Sequence, residues 1–318
     1  MAEGNLIKIL IKRSIEIITK KGIRTYFKAI KNYYEAYPPL RKNFYYWLYS
    51  KLHPNKLIIR DIQGSKMYLN LHDFGLSKQL FINGIREPEC TRIMKQILKK
   101  DMIIAEIGAN IGYYALMEAS IIGENGKIYA IEPFPPNFEL LKKNIELNSY
   151  EKIIELYNIA ISNKPGITKL YIKDKLNLCN MLDSECKDFV EVETKTLDDF
   201  IASKKFPNLI RMDVEGYEYY ILEGMKKTLD QCDSCKMFIE VHPYQMYEKG
   251  LDYKKPIRML FDNGFKPTHI IKEHGPQKEE TFEYKNPISG FFNFLKEKQL
   301  SPPENTHGFG LFLEKTKN

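Results

Sequence analysis

Three short runs place chemically able residues just after apolar stretches. The first is Glu106-Ile107-Gly108-Ala109-Asn110-Ile111-Gly112-Tyr113, behind the apolar run Met102–Ile107. Glycines at a strand-to-helix turn let the main chain approach a ligand with no Cβ in the way, and free N–H groups at a helix start favour a carboxylate or phosphate. The spacing Gly108-x-x-x-Gly112 is not the Gly-x-Gly-x-x-Gly of a dinucleotide site. Glu106 in front would repel a pyrophosphate and suits a cationic amino-acid head. The next apolar run, Ile128–Ile131, ends in Glu132-Pro133-Phe134. An acid at the end of a second strand can accept both hydroxyls of a ribose, and Phe134 is placed to pack on an adenine face. After a third strand comes Asn158-Ile159-Ala160, where Asn158 either reads an adenine edge or makes a turn. S-adenosylmethionine carries an ammonium, a sulfonium, a ribose and an adenine, and this set offers a partner for each. The expected cofactor residues are Glu106, Gly108, Ala109, Asn110, Gly112, Tyr113, Glu132, Pro133, Phe134, Asn158 and Ala160.

The second run is Arg211-Met212-Asp213-Val214-Glu215-Gly216-Tyr217-Glu218, and the third is Ile239-Glu240-Val241-His242-Pro243. Ligands of open α/β sheets bind at the carboxyl ends of the strands, so Asp213, Glu215, Glu240 and His242 should converge beside the transferred group. Two uses follow. His242 is a general base, with Asp213 and Glu240 orienting it. Alternatively, Asp213, Glu240 and His242 hold a divalent metal such as Mg2+ together with a hydroxyl. Glu215 and Glu218 equally suit the N-terminus of the following helix.

The elements that must position these residues are legible as alternating short apolar runs and helical stretches, the pattern of a parallel α/β sheet. Strands are expected at Met102–Ile107, Lys127–Ile131, Ile153–Tyr157, Leu209–Met212 and Met237–Val241. Helices are expected at Ile111–Ile121, Pro136–Asn148, Leu197–Ala202, Glu215–Leu229 and Tyr244–Phe261. Thr168–Ile172 and Val190–Lys195 read as an extra hairpin, and Lys266–Ile271 and Phe309–Glu314 as two late strands separated by a polar surface insertion over 276–303. Ahead of the sheet, Leu57–Ile62 and Met67–Leu71 form a hairpin. Asp73 caps a helix through Phe81, and another helix runs from Glu87 to Leu98. This gives a basic, aromatic helical extension over 1–56, a lead-in over 57–101 and a Rossmann-like domain over 102–318.

Composition sets the outer bounds. At 318 residues, 43% hydrophobic and 28% charged, the chain can bury a large core. No uncharged apolar run reaches the length of a membrane-spanning helix. Lys8, Lys12, Arg13 and Glu16 interrupt any signal-peptide core. Five cysteines, an odd number, argue against a disulfide framework and for a reducing cytoplasm. A zinc site at Cys232 and Cys235 would need Cys179 and Cys186 as well. Residues 1–56 hold twelve Lys or Arg against three acids while the whole chain stands at +7, so the remainder is net acidic. The extension is expected to be a lid packed on the catalytic domain or, next, to lie on an anionic membrane face, and nucleic acid is the less favoured partner.

The runs Glu106–Tyr114, Ile131-Glu132-Pro133, Met212–Gly216 and Glu240-Val241-His242 together resemble the FkbM family of S-adenosylmethionine-dependent methyltransferases. Asp73–Ser77, Asn83–Pro88 and Thr196–Phe200 resemble it too. The resemblance implies a class I methyltransferase fold, a sheet with helices on both faces. It also implies O-methylation of a sugar, glycan or related metabolite, and a lipid-linked glycan would suit a membrane-facing extension. Glu106 stands where that family more often has Asp, with the charge kept. The alternatives from other classes are a nucleic-acid methyltransferase and a non-enzymatic membrane-peripheral binding protein. Acids at 213 and 215 oppose a phosphate backbone.

Overall fold

In a computed structural model, the described residues are 38–53, 56–172, 179–182, 188–272, 279–280, 288–302 and 308–316. The part of the expected helical extension before Pro38 lies outside them. The chain divides into two compact units, Met1–Lys56 and Leu57–Asn318, so the segment 57–101 falls within the second. The first unit contributes α1 (Pro38–Leu52), which starts on two prolines and contains the aromatic run, as suits a residue type tolerated only in the first helical turn.

The second unit opens with the antiparallel hairpin β1 (Leu57–Ile62) and β2 (Ser65–Asn70). Then come α2 (Leu76–Asn83) and α3 (Pro88–Ile97). Asp73 ties the start of α2, its carboxylate accepting from Gly75 N at 2.7 Å and Ser77 N at 2.8 Å. The sheet follows with β3 (Ile103–Ile107), α4 (Tyr113–Ile122), β4 (Lys127–Ile131), α5 (Pro135–Leu147) and β5 (Ile154–Tyr157). Next are β6 (Ala160–Ile161), β7 (Gly166–Ile172), β8 (Cys179–Asn180), β9 (Phe189–Lys195), α6 (Leu197–Ile201) and β10 (Leu209–Met212). The chain continues through α7 (Glu218–Glu223), α8 (Lys226–Gln231), β11 (Cys235–Val241), α9 (Pro243–Glu248) and α10 (Lys254–Asp262). It ends with β12 (Lys266–Lys272), β13 (Glu279–Glu280), α11 (Ile288–Glu297) and β14 (Phe309–Lys315).

Eight strands form one sheet in the order β13-β12-β14-β11-β10-β3-β4-β5. β11, β10, β3, β4 and β5 run parallel, and β14 is inserted antiparallel between β11 and β12. The chain order reverses about β3, between β4 and β10, and a crevice at the carboxyl ends is the consequence. The two-residue period of a strand sends alternate side chains to opposite faces. Ala105, Ile107, Ile210, Met212, Met237, Ile239 and Val241 enter one buried cluster, and Ile104, Leu209 and Phe238 enter the other. Helices therefore cover both faces, the α/β arrangement expected. The expected hairpin is present as β7 and β9, antiparallel, in a separate four-stranded sheet of order β6-β9-β7-β8.

Three expectations are corrected. The helix over 215–229 is two helices, α7 and α8, divided at Gly224. A Cβ there would lie 2.1 Å from the Ser162 carbonyl oxygen, so only glycine lets the two main chains come this close. The helix over 244–261 is likewise divided into α9 and α10, with Gly250 between them at φ +70°, outside the helical region. The 276–303 stretch is not wholly a surface insertion. Its later part is α11, whose Phe291 and Leu295, one helical turn apart, are fully buried in the core; residues 281–287 lie outside the described residues.

Candidate active site

A cleft open to solvent lies where β3, β4 and β10 end. Its floor is the turn after β3. Gly108 has φ +83°, and a Cβ on it would stand 2.1 Å from the carbonyl oxygen of Asp213. Only glycine lets this turn lie against the end of β10. Gly108 N and Ala109 N donate to Ile131 O, each at 3.0 Å. Asn110 follows with φ 51°, and across the cleft Glu215 has φ 52°. Left-handed backbone in residues with side chains costs about 1–3 kcal/mol each and persists where the surroundings enforce it.

Glu132 sits at the end of β4 and braces this turn. Its Oε2 accepts from Asn110 N at 2.8 Å and its Oε1 from Phe134 N at 2.9 Å. Burial raises its pKa to about 7 despite those donors. Each carboxylate oxygen has two lone-pair directions, so the group can still accept from a ligand in the cleft it lines.

The second-strand-face row is charged. Arg211 on β10 is in register with Glu106 on β3 and Phe238 on β11. Arg211 and Glu106 are each 1% exposed. Arg211 Nη1 donates to Glu106 Oε1 at 2.7 Å, and its guanidinium stacks 3.7 Å from the centre of the Tyr114 ring. Below lies Glu118 of α4, fully buried. Burial, then the charge of Glu106, raises Glu118 well above the usual carboxylate range. Burial also raises Glu106, to about 7, against the pull of Arg211. The carboxylate expected to meet a cofactor's ammonium thus has a cation of the protein's own beside it.

Two residues further along the same strand face come Asp213 and Glu240. Asp213 Oδ2 is 3.5 Å from Arg86 Nη2 and 3.6 Å from Arg211 Nη2. Arg86 is fixed by its own segment: Thr91 Oγ1 and Tyr113 OH donate to its carbonyl oxygen, and its Nε pairs with Glu87. Glu87, at φ 42°, accepts from Tyr114 OH at 2.8 Å. His242, 3% exposed, directly follows β11 and caps the start of α9. Its Nδ1 is 2.7 Å from Glu218 Oε1, while its Nε2 is 3.5 Å from Glu240 Oε1 and 3.7 Å from Glu215 Oε2. Burial opposes a charge on the ring, but Glu218, Glu240 and Glu215 outweigh it and raise His242 well above an ordinary histidine. Glu215 is raised to about 7 by burial, and Asp213 is raised by burial and then by Glu240.

Of the residues expected at a cofactor site, Glu106, Gly108, Ala109, Asn110, Tyr113, Glu132, Pro133 and Ala160 line the cleft, joined by Asp213 and Glu215. Gly112 instead starts α4 with φ +96°, packed on Leu141. Phe134 is buried in a small cluster with Ala160, Leu170 and Val192. Asn158 Nδ2 donates to the carbonyls of Glu132 and Pro133, at 2.9 and 3.0 Å, which leaves it serving the turn. Glu240 and His242 stand behind Asp213 and Glu215 rather than in the lining. The acid at His242 Nδ1 is Glu218, not Asp213 or Glu240. Among the described residues, Asp213, Glu215 and His242 bring metal-ligating atoms within 4.8 Å of one another, and no cysteine joins a group of that kind.

Arg86, Glu118, Arg211 and Glu218 had no site role from sequence. Glu118 carried a signal: it is the one charge in an otherwise apolar helix, YYALMEASII, and a charge there must be paired or neutralised.

The strand order, the reversal at β3 and the glycine turn at the crevice define a class I methyltransferase fold. The methyltransferase FkbM domain matches residues 106–267, about half of the chain, and the protein belongs to that family of S-adenosylmethionine-dependent methyltransferases. A protein named Methyltransferase 1 from Beauveria bassiana (strain ARSEF 2860) is 29% identical over 147 residues, covering 39% of this chain and 59% of its relative, less than two thirds of that protein. Hexuronic acid methyltransferase AglP from Haloferax volcanii is 24% identical over 176 residues, covering 55% of this chain and 67% of that one. The crystal structure of an FkbM methyltransferase from Methylobacillus flagellatus KT matches 74% of this chain and 54% of its own, at 14% identity and a TM-score of 0.42.

Proposed function

We propose that this protein methylates a hydroxyl of a sugar, glycan or related metabolite, with S-adenosylmethionine as donor. The observation that carries the reading is His242. Glu218 fixes its Nδ1, and its Nε2 faces Glu215 and Glu240 next to the cofactor cleft. The cleft fits the donor: the Gly108 cradle admits no side chain, and Glu132, Ala109, Asn110, Tyr113 and Ala160 would hold the molecule. When bound, it supplies a methyl group on a sulfonium, open to in-line displacement. Holding two reactants in line is worth about 7–11 kcal/mol.

A sugar hydroxyl is a weak nucleophile at neutral pH and needs a proton acceptor. Nε2 of His242 takes that proton while oxygen takes the methyl group, and Glu218 stabilises the imidazolium that forms. Because the carboxylates raise His242, its neutral form appears only above the ordinary value of 6.5. Methyl transfer should therefore rise with pH through a midpoint above that value.

The name of the Haloferax relative supports a sugar acceptor. The acids at 213, 215 and 240 disfavour a nucleic-acid phosphate backbone. Mg2+ favours all-oxygen surroundings, which an imidazole donor does not supply. No helix among the described residues is long and apolar enough to cross a membrane. A peripheral contact with anionic lipid at the cytoplasmic face is supported by the charge of residues 1–56 alone, and vesicle cosedimentation tests it.

The direct test supplies methyl-labelled S-adenosylmethionine with neutral sugars, uronic acids and lipid-linked glycans. Alkali-stable label in a glycan is expected, since an ether survives base and an ester does not. Ribonuclease-sensitive label would move the acceptor to RNA. Undiminished activity in both His242→Ala and Asp213→Ala would contradict the assignment of this cluster.

A further inference from the structure

We infer that Arg86 and Asp213 bind the amino-acid head of the methyl donor, Arg86 taking its carboxylate and Asp213 its ammonium. The inference rests on S-adenosylmethionine as donor and not on which acceptor is methylated.

The ends of the cleft set where that head must lie. Glu132, the acid suited to a ribose, follows β4, and the Gly108 turn follows β3. The sheet order places β3 between β4 and β10. A donor laid across the turn with its ribose at β4 therefore brings its other end to β10, two strand spacings or about 10 Å away. Asp213 directly follows β10, with its carbonyl oxygen against the Gly108 turn. Arg86 and Asp213 both line the cleft.

Exposure and pairing then select these two groups. Glu106, the acid expected to meet the ammonium, is 1% exposed and accepts from Arg211 at 2.7 Å. Arg86 and Asp213 keep 19% and 14% of their side chains exposed and stand 3.5 Å apart, Nη2 to Oδ2. That is too long for a good hydrogen bond, so neither group satisfies the other. Both arginines approach Oδ2, which leaves Oδ1 without an ion-pair partner among the described residues. The segment that carries Arg86 is fixed: Thr91 Oγ1 and Tyr113 OH donate to its carbonyl oxygen, and Glu87 takes its Nε. The two Nη groups remain as a fork, the shape that receives both oxygens of a carboxylate.

The charge balance favours an amino acid over a simple anion. Glu87, Asp213 and Glu240 already act on the Arg86 charge, so the lone carboxylate of an acidic acceptor would add to an excess of acid. A zwitterion brings its own cation and adds no net charge. It exchanges one long contact, Arg86 to Asp213, for two short charge-assisted ones.

The test is calorimetry on the full chain with three probes. They are S-adenosylmethionine, its decarboxylated form, which keeps the ammonium, and methylthioadenosine, which has neither group. The wild type should bind the decarboxylated form about tenfold or more weakly than S-adenosylmethionine. Arg86→Gln should weaken S-adenosylmethionine by about the same factor and leave the decarboxylated form no weaker. Arg86→Lys, which keeps the charge and loses the fork, should fall between. Asp213→Asn should weaken both ligands that carry the ammonium about tenfold, with methylthioadenosine within about threefold of the wild type. Equal affinity of the wild type for the two donor forms, or an equal loss of both in Arg86→Gln, would overturn the inference while the donor site stands. Folded wild-type protein that binds none of the three probes would overturn the donor site itself.

Discussion

The two sides of the crevice are built from different materials. On the β3–β4 side the wall is largely main chain: the Gly108 turn, the N–H groups of Asn110 and Phe134, and one carboxylate, Glu132, that organises them. On the β10–β11 side the wall is side chains, Arg86, Asp213 and Glu215, backed by the buried Glu218, Glu240 and His242, all drawn from three separate stretches of sequence. A shared donor molecule needs a fixed cradle, which backbone supplies. Proton removal from an acceptor needs groups whose charge responds to each other, which only side chains supply.

His242→Ala cuts most sharply between the two sides. Methyl transfer should fall about 100- to 10,000-fold, the usual worth of a general base, while donor affinity stays within about threefold. A comparable loss of donor affinity would mean that the two sides do not act separately.

Arg211→Met comes next, because it leaves Glu106 buried without its partner. Breaking a buried pair from one side costs about 3–5 kcal/mol, read as a shift in the urea midpoint. Adding Glu106→Gln should recover part of it, and no recovery would show that Arg211 acts through packing on Tyr114 and Phe238 instead.

Glu132→Gln should weaken donor binding about tenfold by removing the charge from a charge-assisted hydrogen bond. It also carries a pH signature. The folded protein holds the Glu132 proton up to about 7, against an ordinary 4.5. A raised carboxyl contributes stability at low pH that is lost as pH climbs from 4.5 towards 7. The variant should therefore show a flatter stability profile across that window; an unchanged profile would assign the slope to Glu215 and Glu106.

Asn158→Ala should have the smallest effect, about 1 kcal/mol of stability from hydrogen bonds to the Glu132 and Pro133 carbonyls, with donor affinity nearly unchanged. A tenfold loss of affinity would instead show that Asn158 reads the adenine.

The same division explains what could be read in the sequence. The β3 turn is written in eight consecutive residues, and the alternation of apolar runs fixed the parallel strands to within two residues at either end. Glu118 and Arg211 were in plain sight, but their meaning depends on register: Arg211 faces Glu106 across a sheet, 105 residues away. Glu218 reads locally as a helix-start acid, and only the path of β11 brings His242 onto it. Gly224 shows the same limit in the fold. It lies against the main chain of Ser162, far away in the chain, and no local periodicity announces that contact.

The measurement that tests this account most directly is calorimetry of S-adenosylmethionine binding to the wild-type chain, Glu132→Ala and His242→Ala. The account predicts saturable one-to-one binding by the wild type, strong weakening in Glu132→Ala, and near-wild-type affinity in His242→Ala. No binding by folded wild-type protein, or equal losses in both variants, would contradict it.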